Sequence, residues 1–236
     1  MAIERGHFWR NAKRQLVLEL IAERFPGRRD LHLVDIGGAA SLIASDMQAF
    51  GRVETVEPDA AMVAVARSAQ GIEVHQGNLP DGLPHMEPAH VVTLLDVVEH
   101  IEDDETALRA VKPLLTPDGV VIITVPALKW LWSDHDVALH HKRRYTKESL
   151  TQLFENCGYR IERLSYWTSL LLPLLAGSRV ASKLKPKKSG PPVYDVKVPA
   201  MPINAVLDGV MTAERKLLKH RDMPLGSSLF AVIRPA

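Results

Sequence analysis

Short β-branched runs alternate with helix-forming stretches through the first half of this chain, and this alternation limits the folds open to it. LHLVDIGG (31–38), VETVEP (53–58), IEVHQGNL (72–79), HVVTLLDVV (90–98) and VVIITVP (120–126) read as buried strands. SLIASDMQAF, AAMVAVARSA and DDETALRAVKPLL lie between them with helical spacing, and Thr116–Gly119 reads as a turn. Strands that alternate with helices build βαβ units, hence a parallel, doubly wound sheet with right-handed crossovers. TKESLTQLFENCGY is a further helix with its start marked by Thr146 and Ser149. RIERLSYW and SSLFAVIR supply two more strands, making a mostly parallel seven-stranded α/β sheet. Residues 7–25 form an amphipathic helix on Trp9, Leu16, Leu20 and Ile21.

Other architectures are excluded by counting. One cysteine, Cys157, rules out an internal disulfide framework and a multi-cysteine zinc site. The longest apolar stretch, Trp167 to Ala176, falls short of the ~20 residues that cross a bilayer. The first ten residues lack the apolar core of a secretory signal, so a cytoplasmic protein is expected. The formal net charge of +1 hides a partition: +3 over residues 1–30, −11 over 31–120 and +9 over 121–236.

Ligands of such sheets bind beyond the carboxyl ends of the strands, where a bulky turn would block them. Gly37 and Gly38 provide a small turn after strand one, and Ala39 and Ala40 keep it small. Glu57 ends strand two, about twenty residues on, where an acid can accept both ribose hydroxyls. A pyrophosphate-binding turn would want a third glycine where Leu42 stands, which argues against a nicotinamide or flavin dinucleotide.

Taken in order, VDIGGAAS, VETVEPD, Asn78 and LDVVEHIEDDETALRAVKPLLTPDGVVIITVP resemble the class I S-adenosylmethionine-dependent methyltransferases over residues 30–165. The usual Gly-x-Gly-x-Gly is here Gly37, Gly38, Ala39, Ala40, Ser41, and an acid often found after strand three is Asn78. The resemblance implies S-adenosyl-L-methionine as cofactor and a Rossmann-like methyltransferase fold. It puts Asp35, Gly37 and Gly38 at the methionine end, Glu57 on the ribose with Pro58 continuing that loop, and Asn78 and Leu79 about the adenine. Asp96 and Val97 would face the amino group and sulfonium, with Glu99 and His100 pointing at the methyl-transfer region. Three segments are expected: a helical cap (1–29), the S-adenosylmethionine-binding domain (30–165), and an apolar and basic extension (166–236) whose last helix and strand complete the sheet.

The segment Trp130–Leu150 packs titratable groups densely, which suggests the acceptor side of a site. His100, His135, His140 and His141 are candidate bases because imidazole titrates near neutrality, and Tyr145 can position an acceptor. Asp134, Arg143 and Arg144 are candidate acceptor contacts. With HFWRNAKR at the start, this region is similar to a bacterial subgroup of those enzymes linked with small molecules, saccharides or lipids. That likeness implies that Phe8 and Trp9 cap the cofactor or acceptor and that Arg10 and Arg14 face it. Asp134, His135, His140 and His141 are types that bind metals, but nothing in their spacing fixes a geometry, and no metal is expected.

The basic flanks make an anionic small-molecule acceptor the expectation. No nucleic acid is expected, since no Asn-Pro-Pro-Tyr-type motif is present. Residues 164–184 followed by Lys185, Lys187 and Lys188 read as a lid over the acceptor pocket or a dimer surface, or else as a peripheral membrane contact. A monomer or homodimer fits equally well. The rival readings are a non-catalytic module that keeps the fold as an interaction surface and a nucleic-acid methyltransferase, which the basic C-terminal half allows.

Overall fold

A computed structural model describes residues 6–38, 42–69, 71–183 and 198–236. Seven strands form one sheet: β1 (Leu31–Ile36), β2 (Gly51–Glu57), β3 (Glu73–Gln76), β4 (Ala89–Leu95), β5 (Leu115–Pro126), β6 (Tyr159–Trp167) and β7 (Ser228–Pro235). Their order is β3-β2-β1-β4-β5-β7-β6. The first five strands are parallel, while β7 runs antiparallel to both β5 and β6. The chain leaves β1 toward β2 on one side and returns to β4 on the other. That reversal opens a crevice at the carboxyl ends of β1 and β4, where Ile36 lies beside both Val56 and Leu94.

Eight helices among the described residues flank the sheet: α1 (Phe8–Arg24), α2 (Ile43–Met47), α3 (Ala60–Ala69), α4 (Asp104–Val111), α5 (Asp134–Ala138), α6 (Lys147–Asn156), α7 (Leu172–Lys183) and α8 (Met201–Leu218). In α1 the stripe Ala12, Leu16, Val17, Leu20 and Ile21 is buried. Burying a side chain such as Leu16 contributes about 1.5–3 kcal/mol. His7 starts the helix by accepting the Trp9 N–H on its ring. The opposite rim of α1 ties to α8, through Asn11 to Asp208 (2.9 Å), Arg215 to Glu19 (2.7 Å), and the Phe8 N–H to Asn204 Oδ1 (3.1 Å). In α6, Thr146 and Ser149 form a reciprocal cap.

Two local expectations change. Thr116–Gly119 is not a free turn but an insertion within β5: Leu115 pairs with Ala89, and the next pair is Val120 with Val91. Strand four stops at Leu95, because Asp96 adopts φ +57° and a single helical turn over Val98–His100 follows. The expected boundary at 165/166 falls inside β6, and one hydrophobic core runs from Ala12 on α1 to Ile233 on β7. No helix among the described residues is long and apolar enough to cross a membrane.

Candidate active site

A cavity of about 680 Å³ opens at the carboxyl ends of β1 and β4. Its floor is backbone and short side chains. Gly37 turns with φ +82°, and an added Cβ there would lie 2.8 Å from Val97 Cγ2. At Gly38 an added Cβ would meet Asp35 Oδ2 at 1.7 Å. Both positions therefore need glycine, and the floor stays bare for a close ligand. Asp35 is buried, and Thr93 Oγ1 donates to its Oδ1 at 2.6 Å. Thr93 sits beside Asp35 in the β1–β4 register, so the sheet itself aims this carboxylate. Ala39, Ala40 and Ser41 lie outside the described residues.

Asp96 stands at the end of β4 in a backbone conformation unusual for a non-glycine residue. Thr124 Oγ1 donates to its Oδ1 (2.9 Å), and Lys13 Nζ on α1 donates to its Oδ2 (2.9 Å). Lys13 also lies over the Trp9 ring, 4.7 Å from its centroid, and Trp9 stacks on Trp167 at 5.7 Å. The first helix is thus clamped to the end of the fourth strand. Phe8, Trp9, Arg10, Lys13 and Arg14 all line the cavity, with Arg14 ion-paired to Asp46.

Glu57, Pro58, Asn78 and Leu79 lie outside this cavity's lining. Glu57 ends β2, its Oε1 accepting the Asp59 N–H at 3.2 Å. Asn78 exchanges backbone hydrogen bonds with Gly82, and Leu79 is packed into the core. Pro58 is exposed.

The residues expected on the acceptor side divide. His100, His135, His141 and Arg144 line the cavity. His140, Tyr145, Asp134 and Arg143 do not. His140 and Asp134 are exposed. Tyr145 is buried beneath the site, its hydroxyl donating to Asp104 at 2.8 Å. Burial and that carboxylate push the phenol well above its ordinary value, so it acts as a brace. Arg143 is drawn to Asp104 (3.0 Å) and the Glu102 carbonyl (2.6 Å), away from the acceptor position expected of it. Nor is the segment after strand five one open loop. Ser133 and Asp136 close a reciprocal cap that starts α5.

Arg144 and Asp136 make a buried ion pair, with guanidinium nitrogens 2.7 and 3.1 Å from the carboxylate oxygens. Burial alone would raise the Asp136 carboxyl. His141 and Arg144 outweigh it and hold Asp136 well below the usual range. Arg144 also donates to the Ala127 carbonyl at 2.9 Å, which bolts the loop to the end of β5. Burial, then His141, keeps His100 below its ordinary value, and partial burial with the Arg179 guanidinium does the same for His135. Both are neutral imidazoles near pH 7, able to accept a proton.

Two groups of lining residues, Lys13 and the leucines before and along α7 with Leu207, were not among the candidates, whereas Glu99 was expected to point at the methyl-transfer region. Glu99 carries a fully buried carboxyl with neither oxygen hydrogen-bonded, and burial followed by the nearby Asp96 charge pushes it well up. Lys13 sat inside an ordinary amphipathic period. Leu171 just before α7, and Leu174, Leu175, Ser178 and Arg179 on it, with Leu207 of α8, form a largely apolar wall. The leucine-rich 164–184 segment was the available signal for that wall. Lys185, Lys187 and Lys188 lie outside the described residues.

The sheet with one antiparallel strand, the glycine turn after β1 and the acids after β2 and β4 define the class I, Rossmann-like methyltransferase architecture. The chain belongs to the methyltransferase domain family, which matches it over residues 8–164. A Mycolicibacterium smegmatis protein described as a probable S-adenosylmethionine-dependent methyltransferase is 28% identical over 155 residues, or 64% of this chain. The match spans 59% of that relative's length. Among solved structures, an S-adenosylmethionine-dependent methyltransferase from Mesorhizobium loti superposes with a TM-score of 0.59 at 14% identity, covering 93% of this chain and 97% of that one. One from Clostridium acetobutylicum gives 0.58 at 9% identity, covering 96% and 92%. At such identities these two likenesses speak to the fold. S-adenosylmethionine is the cofactor that goes with the family, and the bare floor at Gly37 and Gly38 fits it, since a side chain at either position would fill the cradle.

Proposed function

We propose that this chain transfers the methyl group of S-adenosylmethionine to a small, part-apolar acceptor. The observation that carries this reading is a single cavity with two unlike ends. The Gly37–Gly38 turn and Asp96 form one end, and the leucines of α7 and α8 form the other. Asp35, Gly37, Gly38, Asp96 and Val97 would hold the methionine end of the cofactor, Glu57 its ribose, and Asn78 and Leu79 its adenine. The bound cofactor supplies an already activated electrophilic methyl group, so the protein's task is placement and exclusion of water.

Trp9, Leu171, Leu175 and Leu207 exclude water from the acceptor's apolar body, while Arg10 and Arg179 favour an anionic group on it. His135 is the base suited to accept a proton from an oxygen or nitrogen nucleophile. A lipid-linked acceptor is favoured over a freely soluble one by the apolar rim. Leu174 lines the cavity yet is 64% exposed, and Met201, Ile203 and Val206 on α8 are more than half exposed.

Calorimetry with S-adenosylhomocysteine tests the central claim. Micromolar binding that is lost in Glu57→Ala is expected, and absence of binding by the unaltered protein would instead support the non-catalytic module. Flotation with anionic vesicles tests the lipid-linked acceptor. No binding at low salt removes that part of the reading and leaves the rest.

A further inference from the structure

Where β4 ends, Glu99 and His100 occupy one helical turn, and His141 approaches from the segment after α5. One donor atom from each of the three lies within 4.8 Å of the others. The two imidazole rings meet edge to face, centroids 4.8 Å apart. The Lys142 N–H donates to the Glu99 carbonyl at 2.7 Å, so the backbones carrying these side chains are fastened together.

Each group is prepared differently. His141 Nδ1 is 3.0 Å from Asp136 Oδ1, a buried carboxylate itself fixed by Arg144 and Ser133. That contact places the ring proton on Nδ1 and leaves the Nε2 lone pair available, the carboxylate–histidine arrangement common behind metal ligands. The His100 ring lines the cavity and meets the His141 ring edge to face. Glu99 is 0% exposed, lines the cavity, and among the described residues has no hydrogen-bond partner at either carboxyl oxygen.

Buried carboxyl oxygens without partners are costly and rare. Neither neighbouring cation hydrogen-bonds Glu99: Lys13 and Arg144 act on it only through their charge, being paired with Asp96 and Asp136. The other cluster of similar composition, Glu54, Glu73 and His75, differs on this point. There Arg52 lies 2.9 Å from both carboxylates and already supplies the cation.

We propose that Glu99, His100 and His141 form a binding site for a divalent transition-metal ion on the acceptor side of the cavity. Two imidazoles and one carboxylate suit zinc, cobalt, manganese or ferrous ions, whereas magnesium and calcium prefer all-oxygen sets. Three protein ligands leave coordination positions open toward the cavity, as catalytic rather than structural metal sites do. This replaces the expected absence of a metal, and it uses a different set from the Asp134, His135, His140 and His141 weighed in the sequence. An ion here would hold an acceptor through an oxygen and make that oxygen easier to deprotonate. This last role rests on the methyl-transfer reading; the metal site itself does not.

The test uses full-length protein stripped with chelator and titrated with CoCl2 and, separately, ZnCl2. One equivalent should bind, cobalt should develop a visible ligand-field absorption, and Glu99→Gln and His100→Asn should each weaken binding by about 100-fold or more. Each variant is checked for an unchanged melting temperature, and magnesium chloride serves as the contrast titration. The proposal is overturned if the unaltered protein takes up no cobalt or zinc, or if both folded variants bind them as well as it does. S-adenosylhomocysteine calorimetry on the same samples separates the two claims. Metal uptake without nucleoside binding sinks the methyltransferase reading alone, and the reverse sinks the metal site alone.

Discussion

The two ends of the cavity are built by different means. At the proposed cofactor end the parts come from strand ends. Asp35 is aimed by Thr93 across the β1–β4 register, and Asp96 by Thr124 across β4–β5, both within one sheet. At the proposed acceptor end the parts come from α1, the segment around α5, the residues along α7, and α8; the Lys13–Asp96 and Arg215–Glu19 pairs tie α1 to elements far away in sequence, and the Arg144–Asp136 pair fastens the segment around α5. A sheet register is a local device that repeats along neighbouring strands. A wall assembled from four distant elements depends on every one of them arriving.

This difference can be tested, from large effects to small. Asp136→Ala leaves Arg144 buried without its carboxylate, and breaking such a pair costs about 3–5 kcal/mol. The melting temperature should fall on the order of 10 °C; an unchanged melt would show that the acceptor wall carries no stability. Gly38→Ala forces a methyl group against Asp35, and overpacking of about 1–3 kcal/mol predicts roughly 10- to 100-fold weaker S-adenosylhomocysteine binding by calorimetry. Binding at full strength would mean the floor is not the cofactor cradle.

At the opposite wall, Leu171→Ala with Leu175→Ala should weaken an amphipathic anion such as anilinonaphthalene sulfonate about tenfold, read by its fluorescence. Nucleoside affinity should stay fixed in that variant, and joint loss of both would show that the two ends are one coupled unit.

Smaller effects follow at the periphery. Burial pushes Glu54 upward, but the hydrogen bond from His75, the Arg52 charge and His32 outweigh it, so its folded value lies below the unfolded one. Its contribution to stability is therefore present above the unfolded glutamate range near pH 4.5 and is lost as pH falls through the folded value. Urea midpoints measured from pH 7 down to pH 3 should show this slope, and Glu54→Gln should flatten it. Arg143→Ala removes only partly exposed pairs, worth about 1 kcal/mol or less. Dye and nucleoside affinities should both be untouched; a clear loss of dye binding would restore the residue to the acceptor side.

The same contrast explains what could be read from the sequence. The sheet was legible because β-branched runs and glycine turns are local signals; Gly37 and Gly38 were readable as a small turn after strand one, whereas the places of Asp35 and Asp96 came from the resemblance to the methyltransferases. The acceptor side was legible only as composition. HHKRRY shows a dense patch of charge, but not that Arg144 turns inward to Asp136 while Arg143 turns outward to Asp104. Tyr145 looked chemical and proves to be a buried brace. The resemblance aimed Glu99 at the methyl-transfer region, but its complete burial follows from the turn after Asp96, which the sequence did not show.

The position of β7 has a consequence for synthesis. It lies between β5 and β6, so β6 has no neighbour in the sheet until a strand encoded much later arrives. While the ribosome is translating α7 and α8, the nascent chain carries an unpaired β5 edge and a stranded β6, both open to foreign strands. A stop codon ahead of Ser228 would thus cost the sheet two strands instead of one, and would leave Trp167 without the layer that supports Trp9 over the cavity.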